Sequence, residues 1–155
     1  MVGCDRLTKQ MAATSLKETP SQSFWADTVR LEYAENAGGF LSLGANLQPA
    51  IRTVIFKMGV GLGLLFLLLV VIKNRWTGWP LIGGSLIFAG GVSNWIDRIM
   101  RDNVIDFLNV GFGALRTGVF NIADVSALLG VFILAFTYSQ RNRDVNGATI
   151  ETHGN

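Results

Sequence analysis

Cysteine and histidine are nearly absent: Cys4 and His153 are the only members of their types in 155 residues. A disulfide framework is therefore excluded, and a Cys/His metal site lacks ligands. Charge is also scarce. Charged residues make up 15% of the chain, where a soluble domain carries about a quarter. The net charge is only +2, and no basic stripe is interleaved with aromatics, so nucleic acid is not an expected partner. There is no phosphate-cradling GxxxxGK[ST] loop and no C-terminal lipidation box. The N-terminus has no apolar core of the kind a secretory signal needs. Half of the residues are hydrophobic, which excludes a disordered chain.

The hydrophobic residues are gathered into long runs. Residues 54–72 are apolar except for Lys57, and at 1.5 Å per residue they cover about 28 Å, close to the hydrocarbon core of a bilayer. Residues 76–96 carry no charge and include the pairs Gly83-Gly84 and Gly90-Gly91, which would let a neighbouring helix approach closely. Residues 118–138 are apolar apart from Asn121 and Asp124. None of the three shows the polar stripe of a soluble helix, so three membrane spans are the expected minimum. Residues 1–16 hold Asp5, Arg6, Lys9 and Gln10 and read as a partial first helix, too short and polar to span alone.

Two polar segments separate these runs. In the first, 17–49, Val29, Leu31 and Tyr33 alternate with Arg30, Glu32 and Ala34. Period two indicates a strand, and Asn36-Ala37-Gly38-Gly39 reads as the turn that follows it. A small β region over about 24–48 is expected on the membrane surface. The second, 97–117, is mixed and polar. Lys73 and Arg75 in one short loop, and Arg141 and Arg143 after the last run, put those ends in the cytoplasm by the positive-inside tendency. Both polar segments then face outward. A single membrane domain over 1–138 with a solvated, frayed tail over 139–155 is the expected organisation.

Polar groups within membrane spans are costly and mark function. Asn94, Asp97 and Arg98 fall on one face of a helix end, and Asn121 and Asp124 stand three apart at the start of the last run. Asp106 sits in Val104-Ile105-Asp106-Phe107. Two carboxylates gathered at the outer boundary suggest an acid/base pair. Close carboxylates cannot both ionise easily, so they share a proton; one then activates water and the other protonates a carbonyl or an amine. That chemistry suits peptide hydrolysis. A structural reading stands beside it: Asp97 next to Arg98, Asp102, and Asp124 at a helix start could serve as caps or dipole partners. An ion-coupled carrier would need charges near mid-membrane on several spans, whereas here they crowd one boundary.

The ordered boxes closely resemble those of bacterial lipoprotein signal peptidase (signal peptidase II), a membrane aspartic peptidase. Asp5-Arg6-Leu7-Thr8-Lys9 is similar to D-x-x-T-K, and Asn36-Ala37-Gly38 to N-x-G. Residues 90–98 fit G-G-x-x-N-x-x-D-R, residues 104–107 fit V-x-D-F, and residues 120–124 fit F-N-x-A-D. The resemblance implies an all-α membrane fold, a four-helix transmembrane bundle with a small extracytoplasmic β-cradle. It implies removal of the signal peptide from diacylglyceryl-modified prolipoproteins, before the lipidated cysteine, at the outer face of the bacterial inner membrane. Asp106 and Asp124 correspond to the catalytic pair. Asn36, Gly38, Asn94, Asp97, Arg98, Asn121 and Ala123 correspond to positions that bind substrate or support the site, and Asp5 and Lys9 to structural support. Expected partners are the lipidated precursor and membrane lipids, with no cofactor and no metal, and the enzyme is expected to act as a monomer. One departure stands out. Where the family's first helix carries an apolar segment before its first box, this chain has only Met1 to Cys4, so a late start or a truncated first span is expected. A truncated, non-catalytic relative that binds lipidated segments or partner helices is the alternative.

Overall fold

The computed structural model describes the backbone of residues 1–153, and the side chains through Arg141 together with that of Arg143. Helix α1 (Val2–Ser15) leads into two antiparallel strands, β1 (Gln22–Phe24) and β2 (Val29–Asn36). After a short 3-10 turn comes the long helix α2 (Pro49–Lys73), π-helical over Thr53–Gly59. Helix α3 (Gly78–Arg101), strands β3 (Val104–Phe112) and β4 (Leu115–Arg116), and helix α4 (Ile122–His153) complete the chain. The four strands form one open sheet in the order β1-β2-β3-β4.

The molecule is apolar outside and polar within. Leu62, Phe66, Phe132 and Phe136 are exposed, whereas Asp5, Lys9, Ser93, Asn94, Asp97, Arg98, Asp106 and Asn121 are buried. In water this would be unstable; in lipid, exposed apolar side chains cost nothing and polar groups must find partners inside. A small apolar cluster of Ala12, Leu16, Ile105 and Phe107 fixes α1 against the sheet.

Two helices, Pro49–Lys73 and Ile122–Arg141, are long and apolar enough to cross a membrane, with mean hydropathies of 2.6 and 1.8. The third expected span, 76–96, falls on α3 apart from Trp76 and Thr77, which precede it; α3 has the length but is not one of those two helices. Its glycines and the polar face at its C-terminal end lower its hydropathy, and burial against neighbours removes the need for apolarity all round. The glycine pairs act as their spacing suggested. A side chain at Gly90 would collide with the Ala123 carbonyl, and one at Gly130 would stand 2.5 Å from the Gly83 carbonyl, so α3 and α4 meet backbone to backbone.

The strand expected from the alternation at 29–34 is present as β2. Its partner lies in the mixed polar segment 97–117, where no strand was expected: β3 runs through that segment and pairs with β2, with Ala34 opposite Asp106 and Asn36 opposite Val104. The polar tail also differs from expectation. Helix α4 continues through it to His153, because no proline interrupts the ladder; residues 154–155 lie outside the described residues.

Candidate active site

Each carboxylate is delivered by a different kind of element. Helix α3 ends on Asp102 in the left-handed region, φ 62°, and this turn feeds β3 directly. Val104 through Phe107 are all buried, so Asp106 enters the interior from the middle of a covered strand and is 1% exposed. Asp124 comes from the first turn of α4. The Asn121 side chain accepts from the Asp124 backbone N–H at 3.0 Å, and the Asp124 carboxylate accepts from the Asn121 N–H at 3.1 Å. This reciprocal arrangement is a capping box. Asp124 thus caps its helix with one oxygen and leaves the other for the site.

Asn121 joins the two acids. Its side-chain amide donates to Asp106 Oδ1 at 2.6 Å and to Asn94 Oδ1 at 3.2 Å, while its backbone N–H holds Asp124. Asn94 donates to the free oxygen of Asp124, Oδ1, at 2.8 Å. Asn36, 70 residues before Asp106, donates to Asp106 Oδ2 at 2.8 Å, and its own oxygen accepts from the Gly38 N–H at 2.8 Å. Every donor to the Asp106 carboxylate is therefore a neutral amide. Burial pushes the Asp106 carboxyl up from its ordinary 3.8 to about 6; the Asp124 charge adds to this, while the amides and Lys9 pull the other way. Asp124 is only partly buried and is the more accessible of the two.

A second cluster lies beneath. Lys9 Nζ reaches Asp5 at 2.6 Å, Asp97 at 2.7 Å and Asn94 Oδ1 at 2.6 Å, which uses all three ammonium protons. Asp5 also accepts from Ser93 Oγ at 2.7 Å and from the Ala123 N–H at 2.9 Å. Asp5 and Lys9 thus pin α1 to both α3 and α4, and Ala123 contributes through its backbone. Asp97 is paired with Lys9 in this cluster, an ion pair rather than a helix cap. Asp102 likewise pairs with Lys57 at 2.5 Å.

Arg98 closes the rim. It donates to the Gly38 carbonyl, and to the Asn94 carbonyl at 3.2 Å. Its guanidinium lies 5.6 Å from the Phe56 ring centre. Its Nε is buried without a hydrogen-bond partner among the described residues. Beside it opens a cavity of about 310 Å³ lined by Ala37, Arg52, Phe56, Lys57 and Arg98, among others. Among the described residues no group of three His, Cys, Asp or Glu is placed to hold a metal ion. Sequence reading missed Ser93 and Phe56. Ser93 lies one position before Asn94 in a quoted box, but only packing pairs it with Asp5; Phe56 looked like one more residue of an apolar run.

The model of the family described as signal peptidase (SPase) II matches residues 1–140. A lipoprotein signal peptidase of Chlorobium phaeobacteroides is 33% identical over 158 residues, covering 92% of this chain and 92% of the relative. That of a second strain of the species is 37% identical, covering 88% and 89%. A bacterial membrane enzyme solved by the in meso method at 2.3 Å matches with a TM-score of 0.81 and 25% identity, over 92% of this chain and 85% of the other.

Proposed function

The chain belongs to the signal peptidase II family, and on that premise we propose that Asp106 and Asp124 are its catalytic pair. It is a multi-pass membrane aspartic endopeptidase of the lipoprotein-processing type. The reading of the site rests on one observation: both carboxylates are held by the single residue Asn121, through its backbone N–H and its side-chain amide. Asp106, buried and raised toward neutrality, carries the proton; Asp124, more accessible, is the base.

The substrate in this reading is a prolipoprotein whose cysteine already carries diacylglycerol, cut before that cysteine at the outer face of the membrane. Asp124 takes a proton from water as its oxygen attacks the scissile carbonyl carbon, and Asp106 gives its proton to the carbonyl oxygen. The resulting gem-diol returns one proton to Asp106. Asp124 passes its proton to the leaving nitrogen as the C–N bond breaks. The pair ends as it began, with the signal peptide freed as an acid and the cysteine as an amine. The unpartnered Arg98 Nε supplies a donor for a substrate carbonyl, and Asn36 and Gly38 hold the rim that Arg98 closes. The apolar exterior suits acyl chains entering from lipid. Residues 1–138 act as one catalytic unit. The non-catalytic alternative is separated from this reading by the cleavage test that follows.

The test is cleavage of a diacylglyceryl-modified precursor by the full chain in lipid. Release of the signal peptide is expected, with none from the unmodified precursor. Binding of the modified precursor without release would favour the non-catalytic reading.

A further inference from the structure

The end of the bundle away from Asp106 and Asp124 holds a second cavity that the peptidase chemistry does not use. It encloses about 410 Å³ between the α2–α3 turn and α4, a volume in the range of small-ligand sites. From Asp124 to Tyr138 the helix rises about 21 Å, so the cavity lies near the opposite membrane boundary.

Its lining has a definite chemical character. Arg75 and Arg141 stand on its two sides, and among the described residues no acidic side chain lines it. Trp76 and Tyr138 contribute the aromatic rings typical of the headgroup level, and Pro80 and Leu134 an apolar wall. The walls are held in place. The Trp76 ring packs on Gly84, where a Cβ would sit 3.0 Å from it, and the Trp76 N–H donates to the Val71 carbonyl at 3.2 Å. Arg75 sits in the turn at φ 48°. Thr77, also in the lining, begins α3 without any side-chain cap, so the positive end of that helix faces the same place.

Two guanidiniums around a cavity call for a phosphate, and an apolar wall flanked by aromatics calls for a phosphate attached to acyl chains. We propose that this cavity binds the headgroup of an anionic phospholipid, with Arg75 and Arg141 holding its phosphate. A free phosphate shares the charge chemistry but leaves the apolar wall without a partner. The site holds the turn between α2 and α3 to α4, and it is independent of the catalytic assignment.

The experiment is titration of the delipidated full chain in detergent with phosphatidylglycerol, phosphatidylcholine or inorganic phosphate, read by native mass spectrometry. Phosphatidylglycerol should be retained at least tenfold better than phosphatidylcholine. Arg75→Gln with Arg141→Gln should weaken its binding by roughly 25-fold, at about fivefold per cation. The double lysine variant should keep most of the binding, and precursor cleavage should be unchanged in all three proteins. Equal retention of the two lipids, or equal binding by wild type and the double Gln variant, would overturn the proposal. Displacement of the lipid by millimolar inorganic phosphate would overturn it in favour of a free-phosphate site.

Discussion

Two pairs of aspartates lie side by side in this molecule and meet opposite fates. Asp5 and Asp97 close on the ammonium of Lys9 at 2.6 and 2.7 Å, so their charge is met by a cation and they act as struts. Asp106 and Asp124 close on the amides of Asn36, Asn94 and Asn121, which orient charge without cancelling it. Asn94 takes part in both, accepting from Lys9 and donating to Asp124. The lesson is that burial alone does not make a carboxylate reactive. A cation ties the first two carboxylates into the frame, while neutral amides orient the other two and leave them for chemistry.

The contrast can be broken most severely at the reactive pair. Asp106→Asn and Asp124→Asn should each reduce precursor cleavage by about 10²–10⁴-fold, the contribution of a positioned acid or base. Circular dichroism should show the helices intact. Retained cleavage in either variant would remove that residue from the pair. Lys9→Met strikes the other pair. It leaves two buried carboxylates without their cation and should cost about 3–5 kcal/mol of stability, measured by thermal unfolding in detergent. Full stability in that variant would sink the strut assignment.

Asn121→Ala tests the bridge between the carboxylates. Loss of one preorganised donor should lower kcat by about 10²-fold or more with little change in KM. A matching change in KM alone would make Asn121 a binding residue instead.

The smallest effect is graded by pH. Asp106 is raised from 3.8 to about 6, so it holds its proton below about pH 6 and releases it above. The kcat/KM of the free enzyme should therefore fall about tenfold per unit above that point. Stability carries the same sign. The folded chain retains a proton that the unfolded chain gives up near 3.8, so this group's contribution is greatest below that value and is lost as pH rises through about 6. A flat kcat/KM across pH 5–8 would contradict the shared proton.

Much of the site was legible before the fold. Asn94, Asp97 and Arg98 share a helical face because their spacing requires it, and all three are buried together. Asn121 and Asp124, three apart at a helix start, form the capping box that the spacing allows. The assignment of Asp106 leaned on family resemblance, because its position near the outer boundary between Ile105 and Phe107 is a weak signal by itself. Strand β3 was missed for the same reason: its burial on Val104 to Phe107 erases the alternation that betrayed β2. The uncharged run 76–96 was legible in the sequence, whereas only the fold shows that its glycines meet α4.

What the sequence determined by itself is the chain's solvent and the inventory of its chemistry. Hydropathy over some twenty residues is a local sum, and it commits two helices to lipid whatever their neighbours do. The boxes likewise state which side chains are available. Only the tertiary structure decided their roles. The β2–β3 pairing brings Asn36 to Asp106 across 70 residues, and α1 carries Lys9 to Asp97 across 88. Which carboxylates meet a cation and which meet only amides depends on those distant encounters, and no local pattern encodes them.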